Sequence, residues 1–567
     1  MKKYPTPKTA AEALLMRLKL NGVDYLFANA GTDFAPIIEG YVRGAEEEMP
    51  FPKPLVVPHE TAVVAMAHGY YLTTGKPQAA IVHVNVGLAN SLCGILNAAS
   101  DNIPLFMMSG RTPLTEDKHL GSRNTPIHWG QEMRDQGSIV RQSVKWDYEL
   151  RYPEQISDLV DRGITIAMAP PRGPVYLSLP REPLAKMWPK EKRIDQKIQS
   201  IPLSPSPDEY ACNLAMELIS KAQNPLIICQ RGDPEGSLSE AIGALSEGHG
   251  IPVIESFPLQ NQLASDHPMH SGFNAGPWLE KSDVIIIVNT QVPWIKSMQE
   301  PSKKLTLIHI ALDPLFTDMP FRNFHSDLSI IGDPAKTINY LNKILLKDTQ
   351  SIGQRYEKVK QENIIRRSKL KEVAAMGSGS PMSPEFVGLC LSVALDDEAV
   401  IFNELGVPVN SLNLSGPNRL FSTPFSGGLG WGFPAALGAS LANPNRLAVA
   451  CVGDGSYIFA NPVACHQIAE AMELPVLVII MNNGIWNAVR RAARNVYPEG
   501  SSIKMNEMPL TSLNPLPDFC QIAKASRGWS ERVEKGSDLP GALMRAVNII
   551  KTEKRHALLE LRVSIPN

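Results

Sequence analysis

Gly453-Asp454-Gly455 and the pair Asn482-Asn483, separated by residues 456–481, are residue types that can meet around one divalent cation. Magnesium takes six oxygens in near-octahedral order, few from protein and the rest from phosphate and water. Asp454 offers a carboxylate, Asn483 an amide oxygen and Ile485 a backbone carbonyl in the turn that follows, and a diphosphate would complete the shell. Gly453 and Gly455 let backbone approach a phosphate closely. Gly-Asp-Gly and Asn-Asn-Gly are each ordinary turn signals when they stand alone, and it is their pairing that points to a cation.

The elements between them must bring the two ends together. Residues 447–452 read as a short apolar strand, Asn461-Pro462 as an N-cap with Pro at the first helical position, 463–472 as a helix and 476–481 as a second buried strand. A helical crossover makes the strands parallel, so Asp454 and the Asn pair both sit at carboxyl ends, where open α/β sheets bind ligands.

On these residues the chain resembles the thiamin-diphosphate-dependent enzymes, in the branch that contains acetolactate synthase, benzoylformate decarboxylase and pyruvate decarboxylase. The resemblance implies that Asp454, Asn483 and the Ile485 carbonyl hold Mg²⁺ on the cofactor diphosphate, with Gly453, Gly455 and Ser456 close to it. Trp486 either lines the pocket or packs beside it. The run from Ser426 through Gly427, Gly428, Leu429 and Gly430 to Ala436 resembles the family element in which an apolar wedge bends the cofactor and a carbonyl accepts from its 4′-amine. By position these are Leu429 and Gly427. The alternative, a dinucleotide-binding loop, lacks a preceding strand and a downstream acid in the sequence.

Thiamin chemistry needs a carboxyl that shares a proton with the aminopyrimidine N1′, in a poorly hydrated pocket that raises its pKa. Glu60 follows the apolar stretch Val56-Val57 and opens an apolar helix ending near Thr74. Alone it reads as a favourable charge at a helix N-terminus; the resemblance implies the catalytic role. His83, at a strand end, stands where benzoylformate decarboxylase carries an active-site His, and is a candidate proton relay or a structural imidazole. Thr32 and Asp33 lie in a loop resembling the family's first strand-end loop, against a helix-capping alternative. Gln131 lies in a region resembling the donor-binding segment of acetolactate synthase, against a solvated turn.

The 567 residues exceed one core and divide into three blocks of similar size: 1–185 (pyrimidine-binding), 190–350 (middle) and 376–567 (diphosphate- and Mg-binding). A Pro-, Lys- and Ser-rich linker, 183–207, and a break at 376–381 after a charged helical stretch, 354–373, separate them. Middle-block strands are expected at 225–229, 252–255, 284–289 and 305–310. A faint repeat relates 65–84 to 435–452, and the fold class is α/β, three doubly wound domains with mainly parallel sheets. A net charge of −2 gives no reason to expect nucleic acid or an anionic membrane, and no apolar run is long enough to span a bilayer. Seven scattered cysteines indicate neither a disulfide frame nor a zinc site, and a cytoplasmic location is expected.

The resemblance further implies a homodimer or homotetramer acting on a small 2-oxo acid or ketone by non-oxidative decarboxylation or carboligation. FAD is not expected, because Val288 to Trp294 stands where acetolactate synthase has an Arg-rich stretch. A CoA-type or 2-hydroxy-ketone lyase, or a non-catalytic paralogue, are the alternatives; no basic nucleotide groove is legible for the former, and scaffolding requires neither Glu60, Asp454 nor Asn483.

Overall fold

The computed structural model describes residues 4–299, 301, 304–345, 349–505 and 507–565. Among them are three sheets of six, five and six strands, and every ladder between strands is parallel. The first runs in the order Lys53–Val56, Tyr25–Ala28, Gln78–Val82, Leu105–Arg111, Val175–Pro180 and Asp147–Glu149. The middle sheet follows with Leu328–Ile331, Thr306–Ala311, Val284–Val288, Pro225–Cys229 and Val253–Glu255. The last is ordered Leu420–Ser422, Val400–Glu404, Ala448–Gly453, Val476–Asn482, Ala557–Arg562 and Trp529–Val533.

Parallel sheets are covered on both faces, so their strands read as unbroken apolar runs rather than alternating ones. The middle sheet shows this directly. Ile227, Cys229, Ile286, Val288 and Ile308 join one buried cluster, while Leu226, Ile228, Ile285, Ile287 and Leu307 join another. Successive residues point to opposite faces, and both faces are dry. Val476–Asn482 is buried along its whole length for the same reason.

The chain forms two compact units. One runs to Leu203 and takes in Pro424–Asn443; the other is Ser204–Thr423 together with the chain from Pro444. Within the first unit the helices Glu60–Thr74 and Gly432–Ala442 cross at glycines. A Cβ added to Gly69 would overlap the Ala435 carbonyl, and one on Gly438 the Met66 carbonyl. Backbone that close admits no side chain, and neither neighbour is a flexible tip that can swing away. Gly438→Ala is therefore expected to cost about 1–3 kcal/mol of stability by overpacking, read as a lowered denaturant midpoint at unchanged m-value.

Several local expectations are corrected. Pro183 belongs to the short helix Arg181–Ala185, so the irregular segment starts later than the Pro-rich composition suggests. Asn461 does stand at the N-cap of Pro462–Ala471, but in left-handed geometry (φ 52°) with no side-chain cap bond. A helix missed in the sequence, Asp454–Phe459, starts directly on the strand end. The strand Leu420–Ser422 does precede the Gly427 loop in sequence, contrary to the expectation that none would. No described helix is long and apolar enough to cross a membrane.

Candidate active site

In the first unit, Glu60 is the first residue of its helix, behind the N-cap His59. The His59 Nδ1 accepts from the Thr61 N–H at 3.2 Å, which fixes where the chain turns from strand to helix and so where Glu60 emerges. Glu60 is half-buried; its Oε2 accepts from Asn90 Nδ2 at 3.4 Å, and Gly87 leaves room beside its Oε1. A carboxylate at this end of a helix also lies in a favourable dipole field.

His83 ends the link between the strand Gln78–Val82 and the helix Val84–Ser100. Its Nδ1 lies 2.5 Å from Asp33 Oδ1, and its Nε2 lies 3.2 Å from Gln131 Nε2. Two glycines make the cluster possible: the imidazole occupies the space a Gly31 side chain would need, and the Asp33 carboxyl the space a Gly110 side chain would need. Val84, next to His83, has φ 33°, a conformation costly for a β-branched residue, and its N–H donates to Asp33 Oδ2 at 3.4 Å. Asp33 thus bonds the His83 ring and the first N–H of the following helix at once. It does not cap its own 3-10 turn, Thr32–Phe34, so the capping alternative falls; Thr32 is exposed. Gln131 is only 7% exposed, which rules out a solvated turn.

The hydrogen bond to Asp33, with that carboxylate's charge and Glu60's adding to it against the opposing effect of burial, raises the His83 pKa above its ordinary value of 6.5. With Nδ1–H donated to Asp33, a neutral ring accepts at Nε2 from the Gln131 amide N–H. A charged ring donates there instead and needs Gln131 Oε1, an atom that is buried with no partner among the described residues. A half-turn of the Gln131 amide exchanges the two arrangements. His128, also buried, is pushed the other way, below 6.5, by desolvation and the nearby Arg181 and Arg123 charges.

Because the folded His83 pKa is raised, the Asp33–His83 pair contributes stability in full below about pH 6.5 and loses it as pH rises through the folded value. Asp33→Asn is expected to lower the His83 titration midpoint, followed by NMR of the ring protons, and to destabilise the protein more at pH 5.5 than at pH 9.

The Gly427 loop in the same unit is held by a residue that sequence reasoning passed over. Asn97 donates to the Gly428 carbonyl at 2.9 Å, accepts from the Gly428 N–H at 3.1 Å and accepts from Ser426 Oγ at 2.5 Å. Gly427 has φ 71° and is exposed; Leu429 is half-buried. Asn97 is one of three asparagines on its helix, with Asn85 and Asn90, and nothing in the sequence sets it apart from them.

In the second unit, Gly453 ends its strand beside Met481, and Asp454 is 3% exposed. Asp454 Oδ2 accepts from the Gly484 and Asn483 N–H groups at 2.7 and 3.1 Å, and Oδ1 from the Gly455 N–H at 2.8 Å. Burial raises its pKa above the ordinary 3.8, with those bonds opposing. A carboxylate has about four lone-pair positions, and three are used, so Oδ1 keeps one for a cation. The pair of asparagines divides its work. Asn482 donates to Glu560 Oε1 at 2.8 Å and ties the sheet, while Asn483 lies in the turn, its Oδ1 accepting from the Ile485 N–H at 3.1 Å. Gly484 (φ 75°) makes that turn possible. Trp486 fills the space above Gly455 and meets Phe459 edge-on at 5.7 Å, which is the packing alternative. Ser456 is buried, and its hydroxyl has no partner among the described residues.

The donor set therefore suits a hard divalent cation on a diphosphate: a buried carboxylate with spare capacity, an amide oxygen, a turn carbonyl, small residues and an unspent hydroxyl. Three family models match the chain: the N-terminal TPP binding domain of thiamine pyrophosphate enzymes over residues 8–139, their central domain over 212–341, and their C-terminal TPP binding domain over 407–561. Acetolactate synthase of Arabidopsis thaliana is 23% identical over 95% of this chain and 79% of that one, and benzoylformate decarboxylase of Pseudomonas aeruginosa 25% identical over 95% and 97%. Among solved structures, a thiamine diphosphate-dependent 4-hydroxybenzoylformate decarboxylase of Rhodococcus jostii aligns with TM-score 0.76 at 22% identity, covering 98% of this chain and 99% of that one. Benzoylformate decarboxylase from Polynucleobacter necessarius aligns with TM-score 0.77 at 20% identity, covering 99% of each.

Proposed function

We propose that this chain, which belongs to the thiamine pyrophosphate enzymes, is a non-oxidative 2-oxo acid decarboxylase or carboligase. When bound, thiamin diphosphate supplies the sink for the electron pair released as CO₂ leaves. The protein's share is positional and protonic. Asp454, Asn483 Oδ1 and the Ile485 carbonyl hold Mg²⁺ on the diphosphate, with Gly453, Gly455 and Ser456 against it. Gly427 and Leu429, on the loop that Asn97 fixes, orient the aminopyrimidine, and Glu60 holds a proton at its N1′. His83 Nε2 delivers or removes a proton at the substrate, with Asp33 fixing the ring and Gln131 following its charge state.

The observation that carries this reading is the Asp33–His83–Gln131 cluster. Oxidative chemistry needs an electron acceptor, whereas decarboxylation followed by protonation needs a proton source at the site, and a half-buried imidazole held on both nitrogens is one. FAD is left out of this reading because Val288 to Trp294 stands where acetolactate synthase has an Arg-rich stretch. The names of the relatives support both outcomes, decarboxylation and synthase chemistry. A homodimer or homotetramer and a cytoplasmic location belong to the same reading, the latter in keeping with seven free cysteines.

The test is CO₂ release from a panel of 2-oxo acids, with and without thiamin diphosphate and Mg²⁺. Release that needs both supports the reading. Cofactor binding without release from any acid would overturn the decarboxylase assignment and leave aldehyde cleavage or ligation to be assayed.

A further inference from the structure

The helix Asn487–Val496 begins two residues after Ile485 and carries Arg490, Arg491 and Arg494. Among the described residues none of the three forms an ion pair, and none of the helix's residues is buried. Three unneutralised guanidinium groups within five residues repel one another, a cost that an anion between them offsets. One further atom points the same way. Arg490 Nη1, in the first turn of this helix, is shut off from solvent yet has no hydrogen-bond partner among the described residues; Asn487 Oδ1 is likewise unpartnered, so no bond holds that amide's oxygen in place and it can turn its NH₂ toward an anion. Buried polar atoms are normally satisfied, so an enclosed guanidinium donor without an acceptor marks a place for a ligand oxygen. Arg490 and Arg494 share one stripe of the helix, and Arg494, with Arg491, Asn495, Pro498 and Ile503, lines a cavity of about 320 Å³.

We propose that Arg490, with Asn487 beside it and Arg494 one turn on, binds a second anionic group at the far end of the substrate, so that the preferred 2-oxo acid is a dianion. The inference rests on the decarboxylase reading and deepens it. The carboxylate that leaves as CO₂ is a poor partner for these arginines, because a tight ion pair would stabilise it in the ground state and oppose the loss of its charge. The guanidinium fork suits a terminal carboxylate or a terminal phosphate-type group equally, and the substrate panel separates the two.

The experiment compares 2-oxoglutarate, a 2-oxo acid of similar length ending in phosphonate, and 2-oxovalerate, on the enzyme loaded with thiamin diphosphate and Mg²⁺. Wild type should favour one of the dianions over 2-oxovalerate by roughly tenfold or more in kcat/KM. Arg490→Gln should collapse that ratio, mainly through KM, and Arg490→Lys should restore part of it. A ratio near or below one, or one unmoved by Arg490→Gln, overturns the proposal while leaving the decarboxylase reading intact. Should the loaded protein release CO₂ from none of the acids, the decarboxylase reading is what fails. Calorimetric binding of 2-oxoglutarate against 2-oxovalerate, to wild type and Arg490→Gln, then decides the anion site: tighter dianion binding lost in the variant sustains it, and equal binding refutes it.

Discussion

Glu60→Gln is expected to lower kcat by roughly 10²–10⁴, the usual contribution of a positioned acid–base group. The substitution keeps the side-chain volume and the position at the head of the helix Glu60–Thr74, and Gln can still accept from Asn90 through its amide oxygen. What disappears is the carboxyl that can carry and release a proton at N1′. Stability should move far less than activity, by about 0.3–1 kcal/mol for the lost charge at the helix N-terminus. Steady-state kinetics beside a denaturation curve separates the two effects. A variant with near wild-type kcat would remove Glu60 from the chemistry.

Asp454→Asn should damage both cofactor uptake and the fold. All three of its hydrogen-bond partners, the N–H groups of Gly455, Asn483 and Gly484, are donors. An amide can turn only one oxygen toward them, so its NH₂ faces a donor whichever way it lies, and at least one enclosed N–H loses its acceptor. Each group so stranded costs about 1–3 kcal/mol. The negative charge that would hold the cation is lost as well, so Mg²⁺-dependent binding of thiamin diphosphate should weaken far more than the fold does. Differential scanning calorimetry with and without cofactor and metal reads both effects: the apo transition drops, and the upward shift that ligand gives the wild type is largely abolished.

How much of this was open to sequence reading follows from what each feature depends on. Strands buried on both faces carry unbroken apolar runs, so Pro225–Cys229 and Val476–Asn482 were legible to within a residue. The meeting of Asp454 with the Asn483-Gly484 turn was legible because its residues are close in sequence and joined by one crossover, as was the strand-to-helix step at Glu60. The Asp33–His83–Gln131 cluster was visible only as three separate candidates. Its assembly depends on Gly31 and Gly110 leaving space and on the left-handed backbone at Val84, and neither has a local signature. The grouping of Pro424–Asn443 with the N-terminal unit was hidden for a similar reason. It follows from two helices touching at Gly69 and Gly438, and a helical glycine reads in sequence as a mild liability rather than a contact. Asn97 and Arg490 escaped because one Asn among three on a helix and an Arg in a basic stretch have commoner explanations, and only their bonds, or the absence of one, set them apart.

All of these roles require the chain to take up its cofactor through a metal. Isothermal titration of thiamin diphosphate into the metal-free protein, repeated with Mg²⁺ present, measures that step alone. Saturable binding near one cofactor per chain is expected with Mg²⁺ and much weaker binding without it, with the Mg²⁺ effect lost in Asp454→Asn. No uptake in the presence of Mg²⁺, or uptake of equal strength with and without it, would contradict the account.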